Sequence, residues 1–369
     1  MKKVAYISVY RDGTGYGNAA CAMIQAISKA GYDVKPVWIT LNGHPNINSN
    51  EIAALESKDL DHVDVVIQQC LPSMFVRIAG VKNIGYFFWE TDRFIGSGWQ
   101  NGCNIMDEIW VNTQEQKEAC ETSGVIVPIK IIDQPKNINV NKIASFNFEK
   151  YNLKNQFKFY SISDFSNKKN VNGLIHSFLS EFSINDNVCL VLKTYISRYS
   201  VTQSKEEIKK VIHQIKHQMG KKPEVCPKIL LIPNMLSDYE LQGLENDSHC
   251  FVSMSRGEGD GFPVAQAYIK GKPVIAPNIS GIKKNTFDDK LLLKDVSIKK
   301  VFGMQNDSNN AYYMWDENWH DPSNKEMCEK MRYVYENYSD AVETTKSNQR
   351  HIIDNFSIES CAEKLKGSI

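Results

Sequence analysis

Short apolar runs of strand length alternate with stretches of helical period from one end of the chain to the other. That alternation is the pattern of parallel α/β sheets. In the first half the spacing predicts strands at residues 4–9, 34–39, 63–69, 83–89, 108–111 and 127–131. A second series is predicted at 157–162, 188–193, 229–232, 249–254 and 273–276. Residues 135–155 lie between the two series, rich in Asn and Lys and with little periodicity, and mark the domain boundary. From Asn324 onward the pattern is helical, with breaks near Tyr338 and Phe356. No repeat or low-complexity segment interrupts the series.

A chain of 369 residues suits two domains of ordinary size, each with its own core. Lys plus Arg (43) equals Asp plus Glu (43), so no net field draws the protein to nucleic acid or an acidic membrane. No apolar run approaches the length of a transmembrane helix. The opening Met-Lys-Lys-Val-Ala-Tyr-Ile-Ser-Val-Tyr has a charged head, but its apolar stretch is short and β-branched and breaks at Arg11-Asp12-Gly13. It is expected to be a first core strand rather than a leader. Nine cysteines are scattered without a C-x-x-C pair, several in strand candidates (Cys70, Cys189, Cys250), as expected for reduced thiols in a cytosolic protein. His213 and His217 are one helical turn apart on a lysine-rich segment with no third ligand near, and are expected to be a solvated face.

The most informative segment is Ser255-Arg-Gly-Glu-Gly-Asp-Gly-Phe-Pro-Val-Ala-Gln-Ala267. A buried strand leads into three glycines, and Pro263 sits where the first helical turn begins, with the helix running to Gly271. Such a strand–turn–helix presents unpaired amides and the positive end of the helix dipole at one spot, which suits a phosphate or pyrophosphate. Glu258, inside the turn, would be repelled by phosphate unless it faced hydroxyls, and a sugar joined to that phosphate meets both demands. An ordinary turn with a solvated Glu is the alternative.

This segment resembles the donor-binding motif of GT-B glycosyltransferases of family GT4: a Glu, seven residues, a second acidic position before a helix, then a strand such as Lys272-Pro273-Val274-Ile275-Ala276. Here the second acidic position is Gln266. The resemblance implies donor contacts at Gly259, Gly261, Phe262, Pro263, Val264 and Gln266. It extends to Phe159 through Phe178, which is similar to the family's other donor motif, a strand end, an Arg, then a Lys opening the next helix. Lys169 matches the lysine, a point charge suited to pyrophosphate; Asp164 stands at the arginine position, leaving Lys168 or Arg198 as substitutes. Lys193, ending the next strand, is a further candidate of the same kind. Two solvated lysines at a helix start would oppose the dipole.

Tyr10-Arg-Asp-Gly13-Thr-Gly15-Tyr-Gly17-Asn18 follows the first strand, with a helix expected from near Ala19. A nicotinamide-binding unit would carry an acid at the end of the second strand, and Val37-Trp-Ile-Thr-Leu-Asn42 has none. The resemblance instead implies that Gly13, Gly15 and Gly17 approach the donor phosphates from the opposite wall. Gly85-Tyr-Phe-Phe-Trp89-Glu90-Thr-Asp92-Arg93 resembles a segment of a GT4 subgroup, and carboxylates flanked by aromatics are a way to hold sugars. Glu90 and Asp92 are therefore candidate acceptor residues, one assisting deprotonation of the attacking hydroxyl. An Asp92–Arg93 pair beneath a packed Trp89 is the competing reading. For the aromatic patch from Tyr312 to Pro322, core packing is the stronger reading.

Taken together, the resemblance implies a GT-B fold, two Rossmann-like parallel-sheet domains facing across a cleft, with an N-terminal acceptor domain (1–140), a donor domain (141–345) and C-terminal helices (346–369) returning to the first. It implies a retaining, metal-independent hexosyl transferase using a nucleotide-diphospho-sugar and no cofactor. Lys169, Glu258, Glu90 and Asp92 would carry the chemistry. The acceptor is expected to be a glycan, glycolipid or protein, not nucleic acid, and the location the cytoplasm, free or at the membrane surface. A catalytically silent sugar-nucleotide binder and a nucleotide-sugar epimerase of the same fold remain the alternatives.

Overall fold

A computed structural model describes residues 1–40, 50–59, 62–138, 140, 143–302 and 312–369. The chain divides into two compact units, Met1–Ile138 with His351–Ile369, and Asn139–Arg350. Residues 139, 141 and 142, around the expected boundary, lie outside the described residues, as do Leu41 and Asn42.

The first unit contains β1 (Lys3–Ser8), α1 (Gly15–Lys29), β2 (Asp33–Trp38), α2 (Asn50–Glu56), β3 (Val65–Gln69), β4 (Lys82–Tyr86), α3 (Trp99–Asn104), β5 (Glu108–Val111), α4 (Gln114–Thr122) and β6 (Ile129–Ile131). Its strands pair in the order β2-β1-β3-β4-β5-β6, all parallel. Val4, Tyr6, Ile67, Ile84 and Trp110 of the sheet meet Ile24 and Ile27 of α1 in one core. β3 is buried along its whole length, as strands covered on both faces are.

β4 ends at Tyr86, so the apolar run expected to be strand through residue 89 outlasts it. Phe87 and Trp89 instead join a buried aromatic cluster with Phe94 and Trp99, at centroid separations of 5.8 Å for Phe87–Phe94 and 4.8 Å for Trp89–Trp99. Helix α1 starts at Gly15, not near Ala19, because Thr14 caps it: its Oγ1 accepts from the Gly17 amide at 3.2 Å. Gly17 is forced by a close approach, since a Cβ there would lie 2.0 Å from the Asp12 carbonyl oxygen.

The second unit contains β7 (Phe157–Asp164), α5 (Val171–Glu181), β8 (Val188–Tyr195), α6 (Val201–Gln218), β9 (Lys228–Ile232), α7 (Asp238–Asp247), β10 (Cys250–Val252), α8 (Phe262–Ile269), β11 (Val274–Ile275) and α9 (Ser280–Lys284). Its five strands are parallel in the order β11-β10-β7-β8-β9. Phe159, Leu190 and Leu192 pack against Leu174, Ile175 and Phe178 of α5. His213 and His217 lie on α6, on its solvent side. An antiparallel pair not expected from the sequence, β12 (Val296–Lys300) and β13 (Asn318–Pro322), follows.

Three helices close the chain: α10 (Asn324–Glu336), α11 (Tyr338–Phe356) and α12 (Ile358–Leu365). The division between the units falls within α11. Ser357 caps α12, which lies against α1 and adds Cys361, Ala362 and Leu365 to the first unit's core.

Candidate functional site

In the second unit the chain lays β7, β8 and β9 outward in one direction, then crosses back to place β10 on the other side of β7. The order reverses between β7 and β10. In doubly wound sheets ligands bind outside the strand carboxyl ends at such a reversal. The loops leaving these two strands carry Lys169 and Glu258. Their side chains meet: Lys169 Nζ donates to Glu258 Oε1 at 2.6 Å, with only 17% and 12% of the side-chain surfaces exposed.

The turn bearing Glu258 is held from several sides. The Arg256 amide donates to the Lys168 carbonyl at 2.7 Å, tying the β10 loop to the β7 loop. The Arg256 guanidinium donates to Asp321 Oδ1 at 3.0 Å and lies over the Phe302 and Trp319 rings at 4.8 and 5.4 Å. Farther along, the Gly281 amide donates to the Glu258 carbonyl at 3.3 Å, and Asn285 Nδ2 donates to the Asp260 carbonyl. Gly281 has no room for a side chain, since a Cβ would lie 2.4 Å from the Asp260 carbonyl carbon. The turn is thus fixed before any ligand arrives, the condition under which dipoles act without reorganisation.

Helix α8 begins just beyond. Gly261 is its N-cap, in the left-handed region at φ 68°, and provides no capping side chain. The first amides of a helix lack intrahelical acceptors, and Pro263 removes one donor of its own. The Phe262 and Val264 amides therefore lack an intrahelical acceptor and stand at the positive end of the dipole. Gly259 is buried in the turn, and Gln266 is half-buried one turn into the helix.

The remaining donor-side candidates separate. Asp164 closes β7 and opposes Tyr195 across the ladder. Lys168 Nζ donates to the Tyr313 hydroxyl at 2.9 Å, while Arg198 is exposed with a left-handed φ of 69°. Lys193 ends the apolar part of β8 and is buried, which pulls its ammonium below the usual lysine pKa.

Gly13, Gly15, Gly17, Glu90 and Asp92 belong to the first unit. Gly13 and Gly15 are exposed and Gly17 is buried under Asp12. Asp92 accepts from Arg93 Nη2 at 2.8 Å, and Trp89 Nε1 donates to the Arg93 carbonyl at 3.0 Å. That is the pair beneath a packed tryptophan that competed with an acceptor role. Glu90 is half-buried near Tyr16, whose phenol is held well above its ordinary pKa by burial first, then by Cys70 and Glu90. The sheet order here reverses between β1 and β3, where Ser8 and Gln69 are register partners. Both are buried, and Ser8 Oγ and Gln69 Nε2 make no hydrogen bond with any described residue.

Sequence reasoning missed Arg256, Gly281 and Asn285. Arg256 stands in plain view within the motif, but its partner Asp321 lies 65 residues on and nothing local announces it.

Comparison with solved structures gives full-length matches. HepE from Anabaena, in complex with UDP-glucose, aligns over 100% of this chain and 99% of its own at 11% identity and a TM-score of 0.67. Sucrose-phosphate synthase from Thermosynechococcus elongatus aligns over 100% and 98%, with 12% identity and a TM-score of 0.64. A glycosyltransferase from Rickettsia africae aligns over 98% and 96%, with 14% identity and a TM-score of 0.64. The chain has the GT-B fold. At such identities the likeness is one of architecture. No protein-family model matches the sequence, and no curated protein is similar to it in sequence. The GT-B assignment matches the two parallel α/β sheets, six-stranded and five-stranded, described above.

Proposed function

We propose that the protein is a retaining glycosyltransferase that moves a hexosyl group from a nucleotide-diphospho-sugar to an acceptor hydroxyl without a metal. The observation that carries this reading is the Lys169–Glu258 pair beside the uncapped start of α8, at the sheet reversal of the second unit. A cation, free amides and a helix dipole suit a diphosphate, and a carboxylate beside them suits sugar hydroxyls. The fold likeness to a protein crystallised with UDP-glucose supports it.

In this reading Lys169 exchanges Glu258 for a phosphate oxygen when the donor binds. Glu258, released, accepts from the sugar hydroxyls and orients the ring. The bond between the anomeric carbon and the diphosphate oxygen breaks as the acceptor oxygen bonds to the same face, and the acceptor proton passes to the leaving phosphate oxygen. Charge growing on that oxygen is met by Lys169, the Phe262 and Val264 amides and the α8 dipole. Gln266 takes the ribose hydroxyls, more weakly than a carboxylate would. Glu90 is the acceptor-side residue, while Asp92 orders its own loop through Arg93. The acceptor is a glycan, glycolipid or protein in the cytoplasm; among the described residues no helix is long and apolar enough to cross a membrane.

A thermal-shift panel of UDP-, GDP- and ADP-sugars tests the reading. A donor at 100 times its dissociation constant adds about 2.7 kcal/mol. Stabilisation by one base class, with donor turnover that Glu258→Gln sharply lowers, is the expected result. No stabilisation by any sugar nucleotide would overturn it. Binding without transfer or hydrolysis would favour a silent binder.

A further inference from the structure

The donor site proposed above is short of positive charge, and the role assigned here to Lys193 rests on that proposal. A nucleoside diphosphate brings more than one negative charge, yet Lys169 is already matched by Glu258 at 2.6 Å. Of the other cations in the neighbouring loops, Arg256 is paired with Asp321 at 3.0 Å and Lys168 is held by the Tyr313 hydroxyl. Arg198 is exposed to solvent.

Lys193 differs from all of them. It is 7% exposed, and its ammonium makes no hydrogen bond or ion pair with any described residue. It lies instead over the Tyr195 ring, 5.4 Å from the centroid. Asp164, an acid at the adjacent strand end, opposes Tyr195 rather than Lys193, which stands opposite Ile162. The ammonium is not sealed from solvent, so a largely desolvated cation stands at the surface without an acid to match it. Strand order sets its place: β10, β7 and β8 are successive strands, so the Glu258 loop, the Lys169 loop and Lys193 leave one sheet edge in sequence. Neighbouring strands lie about 4.8 Å apart, well within the reach of a lysine side chain.

We propose that Lys193 is the second cation of the diphosphate subsite, waiting unpaired for the phosphate that Lys169 does not neutralise. Its counter-ion is the ligand. The subsite accordingly takes the diphosphate of nucleotide sugars and, with lower affinity, inorganic pyrophosphate.

Lys193→Met in the full chain, with Lys193→Gln as a second variant, tests this by calorimetric titration with UDP, UMP and inorganic pyrophosphate at fixed ionic strength. Removing one charge-assisted hydrogen bond weakens UDP and pyrophosphate about 10-fold or more. UMP, lacking the second phosphate, should change much less. The ligand-free variant should melt close to the wild type, because no hydrogen bond or ion pair to a described residue is lost. Unchanged UDP and pyrophosphate affinities, equal losses for UDP and UMP, or lower melting of both variants would overturn the assignment. If Lys169→Met loses UDP while Lys193→Met keeps it, Lys193 alone is excluded. With UDP replaced by the diphosphate of whichever base the thermal panel selects, a wild type that binds neither that nucleotide nor pyrophosphate removes the donor site and Lys193 with it.

Discussion

Each unit carries a strand–turn–helix built on glycines at the reversal of its sheet, and the two are finished differently. In the first, Thr14 caps α1 with its own hydroxyl and Gly17 is pressed against the Asp12 carbonyl. Arg11, in the turn itself, is bound to Glu56. Around it lie neutral or acidic groups: Ser8, Gln69, Tyr16 and Glu90. In the second, Gly261 leaves α8 uncapped, with Lys169, Glu258 and Lys193 at the ends of adjacent strands. A glycine-rich turn is therefore not an anion site by itself. What decides is whether a side chain of the protein already uses the helix amides and whether a cation stands by. By that criterion the proposed donor site lies in the second unit; in the first, Gly17 is pressed against backbone while Gly13 and Gly15 stay exposed.

The largest effect that would break the comparison is at Glu258. Glu258→Gln should lower donor turnover roughly 10²- to 10³-fold, the scale of losing one preorganised group. UDP affinity should hold or rise, because Lys169 loses its competing partner; steady-state rates and titration separate the two. Equal turnover in variant and wild type would remove the sugar-orienting role. Next, Arg256→Met leaves the half-buried Asp321 with Lys299 alone. It should cost about 3 kcal/mol in denaturant unfolding of the second unit and loosen the donor turn. Thr14→Ala should cost about 1 kcal/mol through the lost cap while leaving UDP affinity unchanged. A drop in UDP affinity there would return the first glycine turn to the donor site. The smallest change is Gln266→Glu, which should tighten nucleotide binding by about 1 kcal/mol if the residue meets the ribose.

Much of this was legible in the chain. The alternation of apolar runs with helical segments located both parallel sheets, since buried parallel strands such as β3 and β8 are apolar nearly throughout. Pro263 and Gly271 marked the ends of α8 because backbone geometry restricts those positions. Where the reading strayed, local pattern was overridden by packing. The run after Tyr86 stays apolar to fill an aromatic cluster, not to extend β4, and Thr14 begins α1 earlier than its apolar residues suggest. β12 is exposed and lysine-bearing, so it lacked the apolar pattern of a strand. The anchoring of the donor turn by Arg256, and the isolation of the Lys193 ammonium among the described residues, depend on how distant segments meet and could not be read from spacing.

The account stands on one event, the exchange of partners by Lys169 as the donor enters. A crystal structure with UDP-glucose, or with the base selected by the thermal panel, observes it directly. The account predicts Lys169 Nζ within hydrogen-bond distance of a diphosphate oxygen and Glu258 accepting from the sugar hydroxyls. An intact Lys169–Glu258 pair with the nucleotide bound elsewhere would contradict it.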